Sequence, residues 1–234
     1  METRGLEMAN TGINFGGLNE IKSWGWSPTS LARQIDAFRD RTIAGMTPEC
    51  FGDPDFFGQL LFENELAWKI IYGQPEEILG FWQLIPLTTE GYQRSVAGDI
   101  CADRIVREIV PRMEPGNWYD AYFFSLSICP KIRKTLVMIQ FAGTITRGLL
   151  EMARREMYIN HLSMCFASNY TMMMNRYFLH FDYCAEHPFA GKIYNTHFPS
   201  FLKSPVTRIA MGRNMKQLIQ LYREAAPSAS EPTV

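Results

Sequence analysis

A short basic turn in the middle of the chain is the clearest candidate for chemistry. Lys131, Arg133 and Lys134 follow an apolar run over 120–128 and precede a helical pattern that ends near residue 156. Cations at the start of a helix favour a bound anion, because the helix N-terminus adds unpaired N–H groups and a partial positive charge. The turn therefore predicts an anion site of the phosphate type. The alternative is a solvated basic turn without a ligand.

The elements around this turn form a strand–loop–helix–strand unit. The run over 120–128 predicts one strand, and a second apolar run over 158–167 predicts another. In such units ligands bind beyond the carboxyl ends of the strands. The intervening helix contains Gly143 and Gly148, each of which costs about 1 kcal/mol relative to alanine in a helix interior. They therefore predict close packing of the helix against a sheet or a ligand.

The rest of the chain predicts an α/β (α+β) protein with a mixed central sheet flanked by helices. We expect an N-terminal arm and helix at 1–48 packed on a body at 49–225, with a disordered tail at 226–234. Residues 1–26 are expected to be irregular, with a short strand at most. The other expected elements are helix starts at Ser27 and Thr47, a hairpin (65–72 and 77–87), a capped turn at Thr88, helices over 171–181 and 214–223, and strands over 183–186 and 192–198.

Composition excludes several classes of function. The 234 residues are 47% hydrophobic and 20% charged, as in ordinary globular proteins, and the net charge of −1 argues against general binding to nucleic acid or a membrane surface. The five cysteines contain no C-x-x-C, which favours reduced thiols in a cytoplasmic protein over disulfides or zinc. Neither a signal peptide nor a membrane span is expected.

Common catalytic motifs are missing. The chain has no G-x-S-x-G, no phosphate-binding Walker loop and no dinucleotide fingerprint, and its four histidines lack metal-ligand spacing, so no metal is expected. A catalytic thiol at Cys129 would need a base that the sequence does not identify. The sixteen Phe and thirteen Met predict a bulky core or, alternatively, a pocket for an apolar or acyl ligand.

Three segments carry a family resemblance. The first is Ile-Leu-Gly-Phe-Trp at 78–82, the second is Ser-Ile-Cys-Pro-Lys-Ile-Arg at 127–133, and the third runs from Asn169 to Phe181. In this order, with the hairpin, long helix and strands between them, they resemble the GCN5-related N-acetyltransferase (GNAT) superfamily. The resemblance covers about half the chain. It implies a GNAT-like fold in which an acyl-CoA thioester lies between two splayed parallel strands.

The resemblance also implies a cofactor site, which here departs from the family pattern. The family's pyrophosphate loop reads R-x-x-G-x-G/A, whereas this chain keeps Arg133 but has Leu136 and Met138 at the glycine positions. Bulky residues make it harder for the backbone to wrap a pyrophosphate. The residues implied to bind acetyl-CoA or a longer acyl-CoA are Leu126, Ser127, Ile128, Arg133, Lys134, Thr135, Leu136, Val137, Met138 and Asn169.

The implied reaction is direct attack of an amine on the thioester, without a protein nucleophile. A backbone N–H of the first strand polarises the carbonyl, a base takes the amine proton and a tyrosine returns a proton to the thiolate. Tyr177 stands beside the family's tyrosine position, which Arg176 occupies, and a tyrosine there is otherwise a core residue. Asp120 is the candidate base by position, and Glu90 is a second one; both are otherwise ordinary surface carboxylates.

Three functions remain open at this point. The first is an acyl-CoA-dependent N-acyltransferase with a small-molecule or peptide amine as acceptor. The second is an inactive GNAT-fold binding or interaction module, with an occluded loop at 133–138 and a partner interface, such as a homodimer, made by residues 1–60. The third is an acyltransferase whose donor is an acyl-carrier protein, with Lys131, Arg133 and Lys134 facing the carrier's acidic helix.

Overall fold

The described residues build one seven-stranded mixed sheet. The computed structural model describes residues 12–43, 52–99, 106–133, 135–166, 181–187, 191–202 and 205–226. The strands are β1 (Asn14–Gly16), β2 (Trp68–Tyr72), β3 (Ile78–Leu87), β4 (Asn117–Ile128), β5 (Met157–Phe166), β6 (Asp182–Glu186) and β7 (Lys192–His197). Their order in the sheet is β1-β2-β3-β4-β5-β7-β6. Only the β4–β5 pair is parallel among these strands.

Helices cover both faces of the sheet, so the predicted fold class is confirmed. They are α1 (Leu18–Ser23), α2 (Pro28–Thr42), α3 (Pro54–Glu63), α4 (Thr89–Val96), α5 (Thr135–Arg154), α6 (Phe198–Phe201) and α7 (Pro205–Ala225), with short 3-10 helices at Val106–Glu108 and Pro130–Ile132. No helix among the described residues is both long and apolar enough to cross a membrane.

Alternation along β3 separates two apolar layers. Phe81 lies in a cluster with Leu31 and Phe38 of α2, and we call this side the α2 face. Trp82 lies on the opposite side, the α5 face, where its indole Nε1 donates a hydrogen bond to Thr144 Oγ1 of α5 at 2.9 Å. Residues adjacent in a strand point to opposite faces, so two consecutive aromatic residues anchor a helix on each side.

Several predicted elements are present with shifted ends. The hairpin forms as β2 and β3, and the Ser27 side chain caps α2 by accepting a hydrogen bond from Ser30 N. The N-terminal arm is more ordered than predicted, because β1 pairs with β2 and α1 follows it. Within the described residues the next helix starts at Pro54, capped by Asp53; Thr47 lies outside them, as does the predicted helix over 171–181.

The terminal helix is longer than its prediction. It begins at Pro205 rather than near residue 214, and it ends at Ala225. Its C-terminal half contributes Met215, Leu218 and Tyr222 to the core beneath α5. Packing against α5 therefore stabilises a helix whose full length the local sequence pattern does not predict.

The two glycines of α5 differ in their surroundings. A Cβ on Gly148 would lie 2.7 Å from the Leu66 carbonyl oxygen and 2.9 Å from the Trp82 ring, which is the predicted close packing. A Cβ on Gly143 would meet no described atom within 4 Å. The expectation of close packing against the sheet is therefore wrong for Gly143, because that position faces outward from α5.

These two positions make a matched pair of substitutions. We expect Gly148→Ala to lower the free energy of unfolding by about 1–3 kcal/mol, because the methyl group overpacks against the Leu66 backbone. Gly143→Ala should raise it by about 0.5–1 kcal/mol, because alanine is the better helix former and the space is open. Urea unfolding of both variants measures the two signs; equal effects would contradict the assigned helix face.

Candidate functional site

The two parallel strands separate at their carboxyl ends. Paired residues run from Asn117 opposite Met157 to Phe123 opposite Met164. Beyond that pair, β4 continues to Ile128 against β3 alone, and β5 continues to Phe166 against β7 alone. The gap between β4 and β5 lies where ligands bind in mixed α/β sheets. It occupies the carboxyl end of the cleft that the resemblance places between the two strands.

A β-bulge marks the start of this gap. Gln83 of β3 pairs with Ser125 and Leu84 pairs with Phe123, so Phe124 is an extra residue in β4. A bulged residue leaves the regular ladder, and its strand bends there. The Phe124 ring lies on the α2 face, stacked on Phe57 at 5.4 Å between centroids. Its backbone is thus fixed at the point where the two parallel strands part.

The gap exposes an apolar side chain in the middle of the sheet. Leu126 is 43% exposed although it lies on a central strand. Its register partner is Trp82, and partners across an antiparallel ladder share a face, so Leu126 points to the α5 face. Of the large hydrophobic side chains that the structure describes, two more are exposed on the adjoining helix, Leu136 at 50% and Ile139 at 57%.

The turn between β4 and α5 is folded back on the strand. Pro130–Ile132 forms a 3-10 helix, and Arg133 Nε donates a hydrogen bond to the Ile128 carbonyl oxygen at 2.9 Å. Lys131 and Arg133 are exposed, and neither forms an ion pair with a described carboxylate. Two cations therefore lie beside the start of α5 without a described partner of opposite charge.

The first turn of α5 places its side chains in alternating environments. Leu136 is half exposed, Val137 is buried in the core at 2% exposure and Met138 is partly buried against the same core. The first N–H groups of a helix have no partner within the helix and carry its positive end. The exposure of Arg133 and Leu136 argues against the occluded loop that an inactive module predicts.

Eight of the ten predicted cofactor-binding residues fall into three groups, while Val137 is buried and Met138 partly buried in the first turn of α5. Leu126, Arg133 and Leu136 are accessible at the gap and at the adjoining turn. Ser127 and Ile128 are buried, and Ser127 Oγ donates a hydrogen bond to Thr42 Oγ1 at 2.9 Å on the α2 face, so these two offer backbone groups. Lys134 and Asn169, the Thr135 side chain and the predicted acid Tyr177 lie outside the described residues.

Asp120 has a histidine partner that sequence reasoning missed. Its Oδ1 lies 2.8 Å from His161 Nδ1 of β5. Tyr119 pairs with Ile159 and Ala121 with Leu162, so β5 has one extra residue beside Asp120. That bulge turns His161 toward α4, where the Tyr92 ring stacks on it at 5.3 Å. The two residues are the fourth of β4 and the fifth of β5, but the predicted strands started at residues 120 and 158, so the predicted bounds did not align them.

The pair has the geometry of an oriented proton acceptor. The Asp120 side chain is 14% exposed and that of His161 is 38% exposed, while His161 Nε2 makes no hydrogen bond to a described residue. His161 Nδ1 also lies 3.0 Å from the Asn160 amide nitrogen. In the tautomer whose Nδ1 donates to Asp120, Nε2 is the proton acceptor. Burial raises the pKa of Tyr92 to about 12, so its ring covers His161 as a neutral group. Glu90, the other candidate base, is exposed in the first turn of α4.

Among the described residues, no group of three His, Cys, Asp or Glu is arranged to hold a metal ion.

Comparison with known proteins gives a likeness of fold. No family model matches the chain, and no curated protein matches it. One similar solved structure is the loading GNATL domain of CurA from Lyngbya majuscula, at 9% identity and a TM-score of 0.43, covering 68% of each chain. Another is a GNAT family acetyltransferase from Streptococcus agalactiae, at 14% identity and a TM-score of 0.36, covering 80% of this chain and 96% of that one. At these TM-scores neither likeness carries an argument about this chain, and neither protein's chemistry is carried over to it.

Proposed function

We propose that this protein is an acyltransferase that moves an acyl group from a CoA thioester to an amine. The observation that carries the proposal is the gap between β4 and β5, with Leu126 exposed within it. A central strand of a sheet normally buries its apolar side chains, so an exposed leucine there leaves apolar area for a ligand to cover. An extended thioester arm with an acyl chain has the shape and polarity for such a gap.

The donor fits the gap in one direction. Its pyrophosphate would lie at the start of α5, where the exposed cations Lys131 and Arg133 and the helix N-terminus favour negative charge. Its thioester would then lie near the bulge at Phe124, where backbone groups outside the ladder are available to polarise the carbonyl. Leu136 and Met138, which replace the family's two glycines, leave the pyrophosphate position open, because Met138 turns partly inward and Leu136 lies on the outer side of α5.

The chemical step is direct acyl transfer. The amine nitrogen attacks the carbonyl carbon, the new C–N bond forms, the C–S bond breaks and CoA leaves as its thiolate. His161 Nε2 takes the proton that the amine loses, and Asp120 positions the imidazole through Nδ1. His161 stands three residues, about 10 Å of strand, before Met164, the last paired residue of β5, so a chain of waters carries the proton across the remaining distance. Tyr177 remains the predicted donor of the proton that the thiolate takes up.

A calorimetric titration tests the donor. We expect acetyl-CoA and octanoyl-CoA to bind with dissociation constants of about 1–100 μM, the octanoyl form more tightly because its chain covers additional apolar surface near Leu126. Free CoA should bind more weakly than either, and pantothenate serves as a control without phosphates. Failure of every CoA thioester to bind would contradict the proposal.

A second candidate is a binding module with the same fold and no turnover. The observation that favours it is the pair of bulky residues, Leu136 and Met138, where the family's loop has glycine. The two candidates differ in one measurement: an active enzyme releases free thiol from acyl-CoA when amines are added, whereas a binding module holds acyl-CoA without releasing thiol. For the enzyme we propose a small-molecule or peptide amine as the acceptor. For either form we propose a cytoplasmic location, with a homodimer as the alternative to a monomer.

A further inference from the structure

The outer side of α5 is apolar in its centre and positively charged at both ends. We call this stripe the α5 surface. Its members are Leu136, Ile139, Gly143 and Arg147 on the helix, with Lys131 and Arg133 at its N-terminal end. Ile139 is 57% exposed, and the space around Gly143 is open within the described structure. Exposed apolar area rimmed by charge is typical of a protein-binding surface.

The charge of this region is one-sided. Residues 130–150 contain Lys131, Arg133, Lys134 and Arg147 and no Asp or Glu, in a chain whose net charge is −1. Arg147 forms no ion pair with a described carboxylate. Its charge lowers the pKa of the Lys69 amine, after the larger effects of burial, which lowers that pKa, and of Glu20 and Glu65, which raise it. The helix stripe itself carries only cations, which favours an acidic partner.

The surface extends beyond the place where a CoA pyrophosphate would lie. From Leu136 to Arg147 the helix advances about 16 Å at 1.5 Å per residue. A Cβ on Gly143 would meet no described atom within 4 Å, so the helix surface at Gly143 is open to one side chain of a partner helix. An apolar centre of this kind favours a protein partner over nucleic acid. A second copy of this chain is disfavoured, because a twofold contact would set Arg147 and Arg133 against cations.

We infer that the α5 surface docks an acidic amphipathic helix of an acyl-carrier protein, which delivers the thioester to the gap between β4 and β5. This inference rests on the acyl transfer of the proposed function and adds a second donor for the same gap, a thioester bound to a carrier protein. The carrier's apolar side chains cover Ile139 and lie over Gly143, while its carboxylates face Arg133 and Arg147. Its prosthetic arm then enters the gap beside Leu126, which is a path of the same kind as that of CoA.

Binding measurements separate this inference from the proposed function. Fluorescence anisotropy with a labelled octanoyl acyl-carrier protein, and calorimetry with octanoyl-CoA, are run on wild type, Ile139→Glu, Arg147→Glu and the control Lys216→Glu, an exposed position on α7. We expect each α5 variant to weaken carrier binding by about tenfold or more and octanoyl-CoA binding by less than about twofold. Carrier binding should also weaken steeply with added salt, and the Lys216 variant should match wild type.

Each other result overturns the inference in a distinguishable way. Binding of octanoyl-CoA without binding of the carrier refutes the docking surface and leaves the proposed function standing. Carrier binding that is unchanged by both α5 substitutions places the contact elsewhere. A wild-type dimer that dissociates on Ile139→Glu, seen by sedimentation, assigns the surface to a second copy. If neither thioester binds, the proposed function fails together with the inference.

Discussion

Replacing Leu126 by aspartate is expected to weaken acyl-CoA binding by at least about 100-fold. The substitution removes the exposed leucine at the gap between β4 and β5 and puts a carboxylate where the thioester arm would pack. Burying an unpaired charge beneath a ligand costs several kcal/mol, and a loss of 100-fold corresponds to about 2.7 kcal/mol. Because the side chain is already 43% exposed, the folded protein should accept the change with little loss of stability.

The matched control is another exposed apolar residue on a strand. Tyr183 of β6 is 54% exposed and lies on the last strand of the sheet order, away from β4, so Tyr183→Asp should leave acyl-CoA binding within about twofold. Calorimetry gives both affinities, and thermal unfolding verifies that each variant is folded. If Leu126→Asp binds acyl-CoA as wild type does, the ligand does not lie on the α5 face of β4.

Local sequence rules predict the helices and strands of this protein better than they predict which side of a helix packs against the sheet. The Ser27 cap of α2 and the β2–β3 hairpin were predictable because their determining contacts lie within a few residues. The periodicity of α5 identifies a helix, but apolar residues surround it, with Val137 and Phe141 buried and Leu136 and Ile139 exposed. Which side faces the sheet depends on packing with β3 and α7, which single-sequence periodicity does not contain.

The candidate site was predictable in its position and only partly in its residues. The strand–loop–helix–strand order places a cleft at the carboxyl end of 120–128, and the structure has the gap there. The two bulges, at Phe124 and beside Asp120, were not predicted, because a single added residue leaves an alternating pattern nearly unchanged. The contact between Asp120 and His161 depends on the second bulge and joins residues 41 positions apart.

Replacing His161 by glutamine is expected to lower kcat by about 100-fold with little change in KM for acyl-CoA. Glutamine keeps a polar side chain between Asp120 and Tyr92 but offers no imidazole nitrogen to accept the amine proton. General-base contributions of about 100- to 10,000-fold are usual, and relay through a chain of waters favours the lower end. Thiol release from acyl-CoA at saturating amine measures kcat, and calorimetry verifies that donor binding is retained.

Two further variants distinguish proton transfer from a structural role. His197→Gln changes a ring only 5.4 Å from that of His161 and should lower kcat by less than about threefold, because it leaves the contact between Asp120 and His161 in place. In His161→Ala, added imidazole should restore part of the lost rate, since a free base can occupy the space beside Tyr92. Asp120→Asn should lower kcat through His161 and respond little to imidazole. Wild-type kcat in His161→Gln would show that the amine proton leaves by another route, and Asp120 would then be a residue that only stabilises the β5 bulge.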